Sequence, residues 1–448
     1  LGAEAAGAFG AVDALGFSAA RQSFVPVAAD ATALGPALLW SDRRALAEAT
    51  SLAASFDTDT HAADGGAVVR ARTGVVLDPG SVAAKVAWLQ HHEPERLGGA
   101  RWLLSPRDLI AWRLTGEVAT DHTLASATGL YELSGADGLG PLGPLVAGLV
   151  DAAADLMPPS RPSDSVLGGL LAGPAGELGL RVGVPVVIGA GDRPCEVLGA
   201  GSSPSWPMVS WGTTANVSVP VPRLLGPPPH TMIVTRGALG GWLLEGGLSA
   251  AGSLLEWLAR LTGRDIASLM EDAASSPPGS RGVVVLPWFG GARAPWWRDT
   301  ARGGVVGLSF DHDAGDVARA VVESVAWDVT RCLQSVTDTC GSAPAPVGLV
   351  LGGGGANVAL WTDILTAVTG LSARRRRSGE AASAGAAVLV ARATATAGAG
   401  ADADLGVVLE RLDPVDTEMT PDPAMTARYA TLRPVADTAA DAVIELGR

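Results

Sequence analysis

The chain has 448 residues, a formal net charge of −14, and a composition rich in Ala, Gly and Val with thirteen Trp. That length accommodates two domains with cores of their own, and the acidic balance argues against a nucleic-acid partner, because phosphate binding needs a basic face. Three cysteines without C-x-x-C spacing and six histidines without a ligand pattern argue against a zinc site and fit a reduced, cytosolic compartment. No apolar run is long enough to span a bilayer, and no basic region followed by an apolar core opens the chain. From Leu1 a small-residue helix is expected, already under way. "VDALGF" at 12–17, "SFVPVA" at 23–28 and "PALLW" at 36–40 predict strands, and a helix follows with Ser41 or Asp42 as its cap. "SVAAKVAWLQHHEPE" predicts an amphipathic helix ended at Pro94, and the polar, Gly/Pro-rich 134–174 predicts insertions rather than a continuous core.

Next comes "VVIGAGDRPCEVLGAG" at 186–201. Its apolar start predicts a buried strand, and Asp192 stands just past the carboxyl end of that strand, the edge at which ligands bind in open α/β sheets. Asp192 is equally suited to cap the helix that Pro194 would begin. "PMVSWGTTANVSV" predicts two strands joined at Gly212, and a domain boundary is placed near Gly201. Three helices, at 249–261, 313–340 and 357–370, flank the apolar strand "PVGLVLGGGG". Strands alternating with helices in both halves predict an α/β protein of two lobes with a cleft between them. The basic run Arg374–Arg377 reads as a solvated helix end or turn, or as an anion or nucleotide contact, and 397–406 as a small-residue linker.

Two glycine signals carry the chemistry of the second half. Gly212, Thr213 and Thr214 suit either an ordinary hairpin turn or a loop whose hydroxyls and N–H groups meet phosphate oxygens. In "LVLGGGGANVALW" a nucleotide could approach bare backbone at a helix start, although neither a Rossmann fingerprint nor a Walker loop is present. "GFSAA" at 16–20 approaches the G-x-S-x-G of hydrolases but ends in Ala20, and no His stands in a triad context.

Taken in order, "LWSDRRALAE", "LSPRDLIAWRLTGEVATDHTLASATGLYEL", "GAGDRPCEVLGAG", "LPWFGGARAPWWRDTARGGVVGL", "GGGGANVALWTDILTAVTG" and "EAASAGAAVLVA" resemble the FGGY family of carbohydrate kinases from about Val12 to Ala393. The resemblance implies two actin-like, ribonuclease-H-like domains flanking a catalytic cleft, with residues 1–200 holding the sugar and 201–448 the nucleotide. It implies ATP and Mg2+ as cofactors, a small-molecule sugar substrate, and leaves a homodimer open. Asp192 becomes the general base, Gly212, Thr213 and Thr214 the second phosphate loop, Gly252 a further nucleotide-binding residue, and Gly353, Gly354, Gly355, Ala356 and Asn357 the purine and ribose wall.

Arg193 departs from the Gln or Gly usual after that acid; it either holds a substrate group or points to solvent. Arg21 and Gln22 stand where the family reads its sugar, with pairing of Arg21 to Asp42 or Glu48 as the alternative. Of Trp288, Trp296 and Trp297, expected between the lobes, Trp296 is the one expected to touch ligand. The implied reaction is phosphorylation of a primary hydroxyl of a ketopentose such as xylulose, a sugar acid such as gluconate, or a glycerol-like polyol. The family's Asp-x-Gly-Thr phosphate loop has no counterpart in the sequence. Hence a longer natural chain is expected, with residues 1–448 alone nearly inactive and prone to self-association, and a non-catalytic binding relative is the rival reading.

Overall fold

Strand register decides where loops leave a sheet, and in both halves of this chain a parallel pair does so. The computed structural model describes residues 12–60, 65–133, 140–141, 153–224, 231–298, 300–339, 345–395 and 405–446. In the second half, seven strands form one sheet in the order Ile233–Arg236, Trp242–Leu248, Ala215–Val221, Met208–Trp211, Gly348–Gly352, Ser372–Arg376 and Val415–Met419. Met208–Trp211 and Gly348–Gly352 are parallel neighbours, with Ser210 opposite Gly352. Their carboxyl ends therefore release residues 212–214 and 353–357 side by side. Burial of Val209, Val217, Val219, Leu244, Leu349 and Leu351 against Ala318, Val321, Val325 and Val329 of the Ala314–Thr339 helix builds the largest core.

Among the described residues the first half has short strand pairs: Val25–Val27 with Trp102–Leu104, and Val166–Gly169 with Pro185–Val187. Ser18–Ala19 runs parallel to Ala190–Gly191, after a parallel bridge from Leu15 to Val186. That register delivers Arg21 and Asp192 from adjacent strand ends. Separate apolar clusters fill this lobe, one around Phe24, Val86 and Leu89 and others around Ile188, Leu170 and Val27.

Several expectations change. Within 12–17 only Leu15 makes a bridge, the strand itself being Ser18–Ala19, and 36–40 contributes one bridge, from Leu38 to Phe24. The next helix starts at Leu46, because the Asp42 carboxylate is turned onto the amide and side chain of Arg44. Pro94 does end the Val82–His92 helix, which Ser81 caps, and it opens the short helix Pro94–Gly98. Residues 160–174 are not mere insertion, since Leu167 and Leu170 are core. The basic run lies in a strand, Ser372–Arg376. There alternation splits the side chains between faces. Arg374 and Arg376 donate to the carbonyls of Gly201 and Ala200 at the end of the Asp192–Ala200 helix, where cations offset the helix dipole. The helix expected from Leu1 and most of the 397–406 linker lie outside the described residues.

The Ala381–Thr394 helix joins the halves. It crosses the Asp192–Ala200 helix so closely that a Cβ on Gly199 would stand 1.8 Å from the carbonyl oxygen of Ala381, and one on Gly385 1.9 Å from that of Cys195. Among the described residues no helix is long and apolar enough to cross a membrane, and Cys195 and Cys332 are free and buried.

Candidate active site

Asp192 is the first residue of its helix, with Gly191 in the capping position. Its Oδ1 accepts the Arg193 amide at 2.8 Å, and its side chain stays 56% exposed. The loop before it is fixed from behind by a buried network. The Gly191 N–H donates to Thr123 Oγ1 at 2.8 Å, and that hydroxyl donates to Asp121 Oδ2. Asp121 also accepts from Ser163 Oγ and from Arg107 Nη2, both at 2.7 Å, while Arg107 Nη1 holds the carbonyl of Ile188. Burial works against the Arg107 charge, but Asp108 and Asp121 overcome it and raise its pKa. Backbone that would otherwise be loose is thereby held by charge-assisted hydrogen bonds.

Arg21 does not pair with Asp42 or Glu48. Its fork grips Glu245 of the second lobe, Nη1 to Oε1 and Nη2 to Oε2, each at 2.6 Å, and its Nε stands 3.5 Å from Asp192 Oδ1. Burial alone would lower the Arg21 pKa and raise that of Glu245; their mutual attraction reverses both, raising the first and lowering the second. Gln22 has a left-handed backbone, φ 56°, and its carbonyl accepts from Lys85 Nζ at 2.7 Å. Together with Ser23, Asp108 and Thr120 it lines a small cavity of the first lobe that Asp192 does not border. Lys85, wholly buried, also donates to the carbonyl of Leu39, and burial pulls its pKa down to about 8 against the opposing pull of Asp42 and Asp78.

Arg193 does not point to solvent. Its Nη1 bonds Glu196 and, at 2.7 Å, Ser210 Oγ. Since Ser210 lies two residues before Gly212, this arginine ties the start of the Asp192 helix to the Gly212–Thr214 loop. Burial raises the Glu196 pKa, opposed by Arg193.

On that side Gly212, Thr213 and Thr214 are exposed. A Cβ on Gly212 or Gly354 would meet nothing within 4 Å, so both present open backbone. Gly355 differs: a Cβ there would stand 1.8 Å from the Trp211 ring. Gly353 has φ 77° and would bring a Cβ to 2.3 Å from the Trp211 carbonyl oxygen, a conformation and a contact that only glycine tolerates. Gly252 donates its N–H to the carbonyl of Gly212 at 2.9 Å and so supports the loop from below. Ala356 is buried, and its carbonyl and the Asn357 side chain both accept from Arg375 Nη1, at 3.0 and 2.8 Å. Trp288 and Trp296 pack edge to face within the second lobe, beside Ala440 and Ile444. Trp297 does meet the other lobe, under the Arg70 guanidinium.

The residues that sequence reasoning misses are Glu245, the Arg107–Asp121–Thr123 network and Lys85. A lone acid inside the apolar "WLLEGGL" is the available signal for Glu245, because buried acids need partners. Among the described residues, no three His, Cys, Asp or Glu side chains gather to hold a metal.

The family models "FGGY family of carbohydrate kinases, N-terminal domain" and "C-terminal domain" match residues 9–199 and 208–394. The xylulose kinase of Escherichia coli K12 is 30% identical over 372 residues, covering 82% of this chain and 73% of that protein. The crystal structure of xylulose kinase from Rhodospirillum rubrum superposes with a TM-score of 0.83 at 27% identity, over 95% of this chain and 83% of that one. Gluconate kinase from Lactobacillus acidophilus gives a TM-score of 0.85 at 21% identity, over 96% and 84%. The fold is therefore the actin-like one of two α/β domains.

Proposed function

Because the chain belongs to the FGGY family of carbohydrate kinases, which transfer phosphate from ATP, we propose that its acceptor is an uncharged sugar and that Asp192 is the general base. The acceptor is a ketopentose such as xylulose in the first instance, phosphorylated on a primary hydroxyl. Residues 1–200 bind it and residues 201–448 bind the nucleotide.

The observation that carries the choice of an uncharged acceptor is the balance of the cleft floor. Asp192, Glu196 and Glu245 face Arg21 and Arg193, and both guanidiniums are already held, by Glu245 and by Glu196 with Ser210. A carboxylate entering here would meet excess negative charge and no unpaired guanidinium of this cluster. A sugar acid is disfavoured on that ground. Xylulose kinases among the relatives point the same way.

In the proposed reaction the Asp192 carboxylate takes the proton of the primary hydroxyl as its oxygen attacks the γ-phosphorus, and ADP leaves. Phosphoryl transfer depends mainly on positioning and electrostatics, so a single oriented base suffices on the acceptor side. The open backbone at Gly212 and Gly354 and the exposed hydroxyls of Thr213 and Thr214 fit the phosphates and ribose of ATP. Mg2+ would take most of its ligands from phosphate oxygens and water, as is usual for this ion.

The test is ADP release with a panel of ketopentoses, polyols and sugar acids. Among acceptors that support ADP release, xylulose or another neutral sugar is expected to be the best and gluconate to support none. A sugar acid as the best acceptor would reverse the substrate assignment, and ATP binding without turnover on any acceptor would favour a non-catalytic relative.

A further inference from the structure

We infer that Glu245 is a positioning residue for the base: from the second lobe it holds Arg21 beside Asp192, and so makes alignment of the base depend on the seating of one lobe against the other. The inference rests on the reading of Asp192 as base. Glu245 occupies the middle of the Trp242–Leu248 strand, 3% exposed, between Leu244 and Gly246. A carboxylate so placed must be paired. Thr235 on the neighbouring strand donates to Oε1 at 2.9 Å, and among the described residues its other hydrogen bonds come from Arg21, 224 residues away in sequence.

With both terminal nitrogens so committed, Arg21 has one nitrogen left, Nε, and it faces Asp192 Oδ1 at 3.5 Å. The stem of Arg21 lies against Gly191, where a Cβ would come within 2.7 Å of Arg21 Cγ. Arg21 is thus fixed at its head by Glu245 and along its stem by the residue before the base. A simple interdomain ion pair would need neither contact with the Asp192 loop. Fixing the fork also keeps it from closing directly on the Asp192 carboxylate, which would occupy the oxygens that must receive a proton.

The test combines kinetics with amide exchange. Glu245→Gln should lower kcat on the order of a hundredfold, the cost of a small misplacement at a reacting centre, with the KM for ATP within about twofold of the parent. In the same variant the segment 189–193 should exchange faster, while 353–357 keeps its rate. Should the single variant fold poorly, Arg21→Met with Glu245→Leu removes both charges together, a change that buried pairs tolerate. Because Glu245 acts through Arg21, this double variant should lose no more kcat than Arg21→Met alone. Unchanged exchange at 189–193, or losses that multiply in the double variant, would overturn the inference. A parent that phosphorylates no acceptor sinks the kinase reading instead, and the exchange comparison, which needs no substrate, then decides the role of Glu245 by itself.

Discussion

In the second lobe the loop residues are held mainly by close packing, with Arg375 bonding Ala356 and Asn357 at one end: Gly355 lies on the Trp211 ring, Gly353 on the Trp211 carbonyl, and Gly252 against Gly212. In the first lobe the corresponding residues are held by charge, through Arg107, Asp121 and Thr123 behind Asp192, Glu245 on Arg21, and Lys85 under Gln22. Both lobes use a parallel strand pair to bring their loops together. The difference follows from what lies beneath. A seven-stranded sheet gives the 212–214 and 353–357 loops a continuous packed base, whereas among the described residues two-stranded pairs leave the Asp192 loop to be fixed by hydrogen bonds. Changes of size should therefore tell on one side and changes of charge or bonding on the other.

The largest effect on stability is expected at Gly355. Gly355→Val drives a side chain into the buried Trp211 ring and should cost about 3 kcal/mol, the upper end of ordinary overpacking, in chemical denaturation. Gly354→Val, one residue earlier in open space, should leave the midpoint nearly unchanged and weaken ATP binding about tenfold or more by calorimetry, roughly 1.4 kcal/mol. Equal stability losses at the two glycines would erase the contrast.

A smaller effect is expected on the other side from Thr123→Val, which keeps shape but removes the acceptor for the Gly191 amide. An orphaned buried N–H costs about 1–3 kcal/mol, and kcat should fall with it while ATP affinity holds. A fall in ATP affinity with kcat intact would place this network on the wrong side of the comparison.

A third effect takes the form of a slope with pH. The Lys85 pKa is lowered to about 8 in the folded chain, against an ordinary value near 10.4. Between those values the unfolded chain holds the proton that the folded chain has given up, so this residue's contribution to stability rises with pH across that window and is at its least favourable below it. The unfolding free energy of the parent relative to Lys85→Met should climb from about pH 8 to pH 10, by at most about 1.4 kcal/mol per pH unit. A flat difference across the window would show that Lys85 is not proton-linked to folding.

Much of the second lobe is legible in the sequence, because its strands are apolar runs ended by glycine and the turn at 212–214 is marked by its residues. The four consecutive arginines mislead for a physical reason: a strand of charged residues looks like a surface turn until the carbonyl ends of the Asp192–Ala200 helix are known to lie beside it. In the first lobe, strands of two to four residues give too short a pattern to locate, and the strand Ser18–Ala19 is accordingly expected too early in the chain. The position of Asp192 at a strand end is readable. Its surroundings are not, since Thr123 bonds Gly191 from 68 residues away and Glu245 bonds Arg21 from 224, and spacing carries no trace of such contacts. Gly355 teaches a related lesson, because the sequence suggests bare backbone for a ligand where the structure has an indole ring.

The assignment of Asp192 as base is tested most directly by Asp192→Asn, measured for ATP affinity and for turnover on the acceptor that the parent prefers. The substitution keeps the shape of the side chain and removes its basicity. The expected result is a loss of about a hundredfold to ten-thousandfold in kcat, the usual worth of a general base, with the Kd for ATP within about twofold of the parent. Near-normal turnover in Asp192→Asn would contradict it.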